Sequence, residues 1–112
     1  MDQVQEKIKD IIIEVVDYSN ATRTQAQEFK NFLTRDIEMG WRKLIVDISN
    51  CTFIDSTFLG ALVISLKRVT ELGGNLKLVG MQPEVSPMFQ LTKLDRLFET
   101  FETKEEAIKS FS

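Results

Sequence analysis

The chain has 112 residues, of which 43% are hydrophobic, enough for one domain with a real core that buries roughly two-thirds of its unfolded surface. Its 14 Lys and Arg against 17 Asp and Glu leave a net charge of −3, and no basic run exceeds a pair (Arg42-Lys43, Lys67-Arg68), which argues against nucleic-acid binding through phosphate neutralisation. There is no His and a single Cys, Cys51, so the commonest general base, the commonest metal ligand and an internal disulfide are all missing.

The start, Met1 to Glu6, is acidic and polar, unlike a secretory signal. The longest apolar runs, Ile11 to Ile13 and Ala61 to Ile64, are too short to span a bilayer. A lone Cys fits a reducing compartment, and the expectation is a cytoplasmic protein without membrane contact. No repeat or linker interrupts the chain, so residues 1–112 read as one domain.

Val4 to Ile8 predicts a weak first strand that turns at Lys9-Asp10. Ile11 to Val16 is β-branched and almost continuous, the pattern of a buried strand. Asp17 to Ala21 reads as a polar turn. Ala26, Phe29, Leu33 and Ile37 then recur at helical spacing, with Gly40 as the stop. Leu44 to Ile48 is a second buried strand, and Ser49-Asn50 a loop. Ser56 to Leu72 reads as a second helix closed by Gly73-Gly74, a turn with none of the Lys-Ser/Thr that a phosphate loop needs. Asn75 to Val79 is a strand. Pro83 to Leu94 holds a short helix, with Ser86 the favoured cap or else an irregular first turn, since Pro87 inside a helix costs about 3 kcal/mol. Leu97 to Phe101 alternates like a short edge strand. Thr103 and Glu106 form a capping-box pattern that starts a last helix through Ala107, Ile108 and Phe111.

Strands alternating with helices predict an α/β domain with a mostly parallel central sheet of four to five strands and about four helices. Cys51 has no cation near it in sequence and is expected to be buried. Trp41, before a strand, is expected to cover one end of the core. Met39, Met81 and Met88 are scattered and form no stripe.

The stretch Leu44-Ile45-Val46-Asp47-Ile48, followed by Phe53-Ile54-Asp55-Ser56-Thr57-Phe58-Leu59-Gly60, resembles the STAS family, which includes anti-sigma factor antagonists and the cytosolic domains of sulfate transporters. Gly73-Gly74 before the next strand, and the later Leu94 to Phe98 and Glu105-Glu106-Ala107, match the same pattern. The resemblance runs from about Ile11 to the end of the chain. One residue departs from it: Phe58 stands where the family usually has Gly, which would set a large ring beside the helix entrance.

The resemblance implies a binding regulator that meets an anti-sigma factor serine/threonine kinase and is phosphorylated by it two residues after the Asp, at Thr57, with Ser56 beside it. A PP2C-type phosphatase would reset the switch. A helix start is a suitable place for this, because a phosphate there adds close to two negative charges without melting the helix. Asp, Ser and Thr are also the preferred N-cap residues, so Asp55, Ser56 or Thr57 equally reads as a plain cap.

On a helical wheel Leu59, Leu62, Val63, Leu66 and Val69 share the face expected to meet the sheet. Ala61 and Ile64 fall on the outer side, with Phe58 at the border. Together with Asp55 they are the expected partner surface, unless a neighbouring element covers Ile64. Asp17 and Asn20 join that surface because the corresponding family loop lies near the phosphosite. A second reading is a constitutive STAS subunit of a lipid-transport ATPase or stress-sensing assembly, suggested by Phe58. An enzyme is not expected: no catalytic set can be assembled, and no cofactor or metal motif occurs.

Overall fold

The computed structural model describes residues 3–112; Met1 and Asp2, the head of the acidic start, lie outside the described residues. Strand β1 (Val4–Ile8) and strand β2 (Ile11–Val15) form an antiparallel hairpin in which Ile8 faces Ile11 and Val4 faces Val15. Lys9 makes the turn with a φ of 55°. Helix α1 (Arg23–Glu38) opens on a capping box, in which Thr22 and Gln25 satisfy each other's free N–H groups. It buries Ala26, Phe29, Leu33 and Ile37, the predicted stripe.

Strand β4 (Lys43–Asp47), helix α2 (Ser56–Glu71) and strand β6 (Asn75–Val79) follow. A short helix α3 (Ser86–Leu91) leads through a 3₁₀ turn at Leu94–Arg96 to strand β7 (Thr100–Phe101) and helix α4 (Lys104–Ser110). The main sheet has the order β1-β2-β4-β6-β7, with every pair after the hairpin parallel. The result is a single α/β domain with five strands in its sheet and four α-helices among the described residues.

Side chains alternate across the sheet, and both faces are covered. Ile12, Leu44, Val46, Leu76 and Leu78 meet α1, α2 and Phe89 in the larger core. Ile11, Ile13, Ile45 and Val79 meet Ala107 of α4 on the other side, with Ile108 and Phe111 packed against them. Lys77 is buried on that second face. Its Nζ donates to Ser110 Oγ (2.8 Å), pairs with Glu99 (3.2 Å) and lies 4.1 Å from the Phe111 ring centre. Trp41 packs against the larger core, as expected of a cover on its end.

Three expectations change. The loop expected as a polar turn contains a two-residue strand β3 (Asn20–Ala21), which pairs in parallel with β5 (Phe53–Ile54). The helix expected within Pro83 to Leu94, with Ser86 as its favoured cap, begins one residue earlier than that cap implies: Ser86 is its first residue, and Val85 holds the cap position with no side-chain cap bond. Pro87 is thus tolerated in the first turn, where its missing N–H is harmless. The edge strand is only Thr100–Phe101, because the 3₁₀ turn runs to Arg96 with Leu97 as its C-terminal cap, and Phe98 turns inward against Phe89. No helix among the described residues is long and apolar enough to cross a membrane.

Candidate functional site

The pairing of β3 with β5 brings the 17–21 loop against the entrance of α2. Ser19 C=O accepts from the N–H groups of Thr52 and Phe53, and Ala21 C=O from that of Asp55 (3.0 Å). Asp17 and Asn20 are exposed on this loop, and Asn50 Nδ2 donates to Asp17 Oδ1 at 3.3 Å. Cys51 is fully buried below, and burial with the nearby Asp47 charge pushes its thiol up to about 11. It is a core residue, not a nucleophile.

Asp55 is the N-cap of α2: its Oδ1 accepts the Phe58 N–H at 2.9 Å. Its Oδ2 accepts the N–H of Arg23, the first residue of α1, at 2.8 Å. A single carboxylate therefore closes the N-terminal ends of both helices and holds them level with each other. Capping is assigned to Asp55 alone. Ser56 and Thr57 are exposed, and among the described residues neither hydroxyl takes part in a hydrogen bond.

Phe58 corrects the sequence reading. Its ring is fully buried, 5.3 Å from the centre of Phe29 and 6.2 Å, edge-on, from Tyr18. The helical wheel left it at the border of the sheet face, but α1 covers that border. Ala61 is buried for the same reason. Ile64 does point outward, at 55% exposure. The residue that replaces the family Gly thus joins the core and does not stand at the surface.

Between the two helices runs an open groove of about 380 Å³. Arg23, Ala26, Gln27 and Lys30 line it from α1, and Thr57, Gly60, Ala61 and Ile64 from α2. Both sets repeat at i, i+3, i+4, i+7, the spacing of one helix face. Small residues form its floor. Thr57, the expected phosphosite, comes together here with Ala61 and Ile64 of the expected partner surface. Asp55 lies at the mouth, and Asp17 and Asn20 are on the adjoining loop.

Other features were not anticipated. Phe53 and Leu91, 50% and 81% exposed, flank an apolar groove that also holds Pro87 and Met88. A larger cavity of about 680 Å³ opens at the C-terminal edge of β4, β6 and β7, between Ser49, Gln82, Ser86, Thr100 and Glu102, with no cation lining it. Glu14 and Asp36, on β2 and α1, are buried carboxyl groups. Glu14 Oε1 and Asp36 Oδ2 find no hydrogen-bond donor. A Glu inside the otherwise apolar run Ile11 to Val16 was the available signal. Among the described residues no group of His, Cys, Asp and Glu is placed to hold a metal ion.

Comparison with known families places the chain. The model of the STAS domain matches residues 2–107. The chain belongs to the STAS family. A relative from Thermotoga neapolitana, provisionally named an anti-sigma factor antagonist, is 29% identical over 106 residues, which cover 91% of this chain and 90% of that one. The crystal structure of a protein from Thermotoga maritima with the same provisional name superposes with a TM-score of 0.90 at 27% identity, covering 96% of this STAS domain and 92% of its counterpart. The phosphorylated form of the Bacillus cell fate determinant SpoIIAA has the same fold, with a TM-score of 0.76 at 17% identity over 99% of this chain and 100% of that one.

Proposed function

We propose that this STAS domain is a cytoplasmic protein-binding switch. Its unmodified form binds an anti-sigma factor serine/threonine kinase, and phosphorylation of Thr57 ends that binding. A PP2C-type phosphatase restores it. The observation that carries the reading is the division of labour at the start of α2. Asp55 caps the helix by itself, so the Thr57 hydroxyl stands exposed and unbonded at the edge of the α1/α2 groove. A phosphate can be placed there without disturbing a single hydrogen bond of the fold. The provisional name shared by the Thermotoga relatives supports the same reading, as does the existence of a phosphorylated form of SpoIIAA.

The interface we assign runs from Asp17 and Asn20 across Asp55, Thr57 and Ser56 to Ile64. Ala61 contributes from the groove floor, and Phe58 acts from beneath by holding the helix in place. Two added charges on this surface oppose an apolar or acidic partner through desolvation and repulsion.

Calorimetric titration with the anti-sigma factor kinase of the same genome tests the proposal. Wild type and Thr57→Ala are expected to bind alike, and Thr57→Glu at least tenfold more weakly. Equal affinity for all three would indicate instead a constitutive STAS subunit of another assembly, such as a lipid-transport ATPase.

A further inference from the structure

The α1/α2 groove carries two cations and no paired acid. The described ion pairs are Lys43–Asp10, Lys77–Glu99 and Lys104–Glu6, and neither Arg23 nor Lys30 belongs to one. Arg23 is also in an unfavourable place. It occupies the first turn of α1, at the positive end of the helix dipole, where a cation is destabilised. No acidic residue lies in the first turn of either α1 or α2. The Asp55 carboxylate is near, but each of its oxygens already accepts a backbone N–H.

The same Asp55 bond fixes where Arg23 stands. Its N–H is tied at 2.8 Å to the residue that caps α2, so the first turns of the two helices lie side by side. Arg23 and Thr57 both line the groove at that end. The residues below them are Ala26, Gly60 and Ala61, and a Cβ added at Gly60 would meet nothing within 4 Å. The floor is open. Lys30 lies seven residues along α1, about 10 Å further down at 1.5 Å per residue.

We propose that Arg23 receives the phosphate carried by Thr57, with Lys30 a weaker second cation, so that the phosphorylated domain closes its own groove with a phosphothreonine–arginine pair. This rests on Thr57 being the acceptor. Phosphoryl transfer from a nucleoside triphosphate forms the Thr57 Oγ1–P bond, breaks the bond from the γ-phosphorus to the bridging oxygen, and releases the diphosphate and the threonine proton. Arg23 acts afterwards, as a positioning residue, through charge-assisted hydrogen bonds to the phosphate oxygens. The switch then works by occupying the groove as well as by adding charge.

The test installs phosphothreonine at position 57 during translation, so that no kinase is needed. The phosphate is then titrated by phosphorus NMR in wild type, Arg23→Gln, Arg23→Lys and Lys30→Gln. An unpaired phosphothreonine takes up its proton near pH 6. In the wild type this midpoint is expected to lie below that value. Arg23→Gln should raise it by about half a unit or more, Lys30→Gln by less, and Arg23→Lys should retain part of the shift. Circular dichroism of the unphosphorylated variants checks the fold, and Gln at 23 keeps the N–H that binds Asp55. A midpoint unmoved in Arg23→Gln overturns the pairing and leaves Thr57 as acceptor untouched. Failure of a kinase to label Thr57 would instead remove the proposed function and leave this pairing measurable.

Discussion

Two pairs of neighbouring elements are held together through carboxyl groups, and they use them in opposite ways. Where α1 and α2 begin, Asp55 gives each oxygen one backbone N–H, from Phe58 and from Arg23. The charge is spread over two helix ends and serves as a clamp. Where β2 meets α1, Glu14 and Asp36 are buried against each other. Gln5 Nε2 donates to one Glu14 oxygen at 3.2 Å, but Glu14 Oε1 and Asp36 Oδ2 have no donor. Burial, followed by the Asp36 carboxyl, pushes Glu14 up to about 9, and burial also raises Asp36. One proton shared between the two groups satisfies both stranded oxygens. The first region commits its carboxylate to backbone N–H groups and exposes hydroxyls beside it. The second holds one proton between two buried carboxyl groups and exposes nothing. Only the first is suited to regulation.

The contrast can be broken most severely at the wall of the first region. Phe58→Ala removes a fully buried ring from between Phe29 and Tyr18 and is expected to cost about 3–5 kcal/mol, measured by denaturant unfolding. Asp55→Ala frees both N–H groups at once. A loss of about 2 kcal/mol is expected, roughly one for each helix end, with Asp55→Asn between it and the wild type.

The second region should respond to pH. Glu14 has its folded value raised from 4.5 to about 9, so the native state holds a proton that the unfolded chain has released across that window. Stability therefore falls as pH rises above about 4.5, with a limiting slope near 1.4 kcal/mol per pH unit for one proton. Glu14→Gln keeps a donor toward Asp36 and removes the titration. Its unfolding free energy should vary much less with pH, and at pH 8 it should exceed the wild-type value by about 1–2 kcal/mol. A variant that keeps the wild-type pH dependence would show that Glu14 does not hold the proton.

The smallest effects on stability belong to the exposed residues of the first region. Thr57→Ala and Ile64→Asp should each change it by no more than about 0.5 kcal/mol, while Ile64→Asp weakens partner binding. Unchanged binding, or loss of the folded state, would count against an interface at Ile64.

Much of this arrangement is legible from the residues in order. The β-branched run marks β2, short apolar segments mark β4 and β6, and the Ala26-Phe29-Leu33-Ile37 stripe marks α1, because each element buries a face that its own period defines. A cap at the start of α2 follows from local chemistry, but Asp55, Ser56 and Thr57 all offered one, and only the fold selects Asp55. What could not be read depends on contacts between distant segments. Phe58 looked like a border residue because the wheel of α2 does not know that Phe29 lies across from it. The β3–β5 pair involves two residues on each strand, too few to leave a pattern. The second bond of Asp55, to Arg23, joins residues separated by 32 positions. Glu14 and Asp36 each look like an ordinary polar residue until β2 and α1 are packed together.

The central claim is that, of the two hydroxyls left free beside Asp55, the one that lines the α1/α2 groove, on Thr57, is modified. Incubation of the wild-type domain with its cognate anti-sigma factor kinase and ATP, followed by peptide mass spectrometry, measures this directly. A single phosphate on Thr57, lost in Thr57→Ala, is the predicted result. No phosphate on either Ser56 or Thr57 would contradict it.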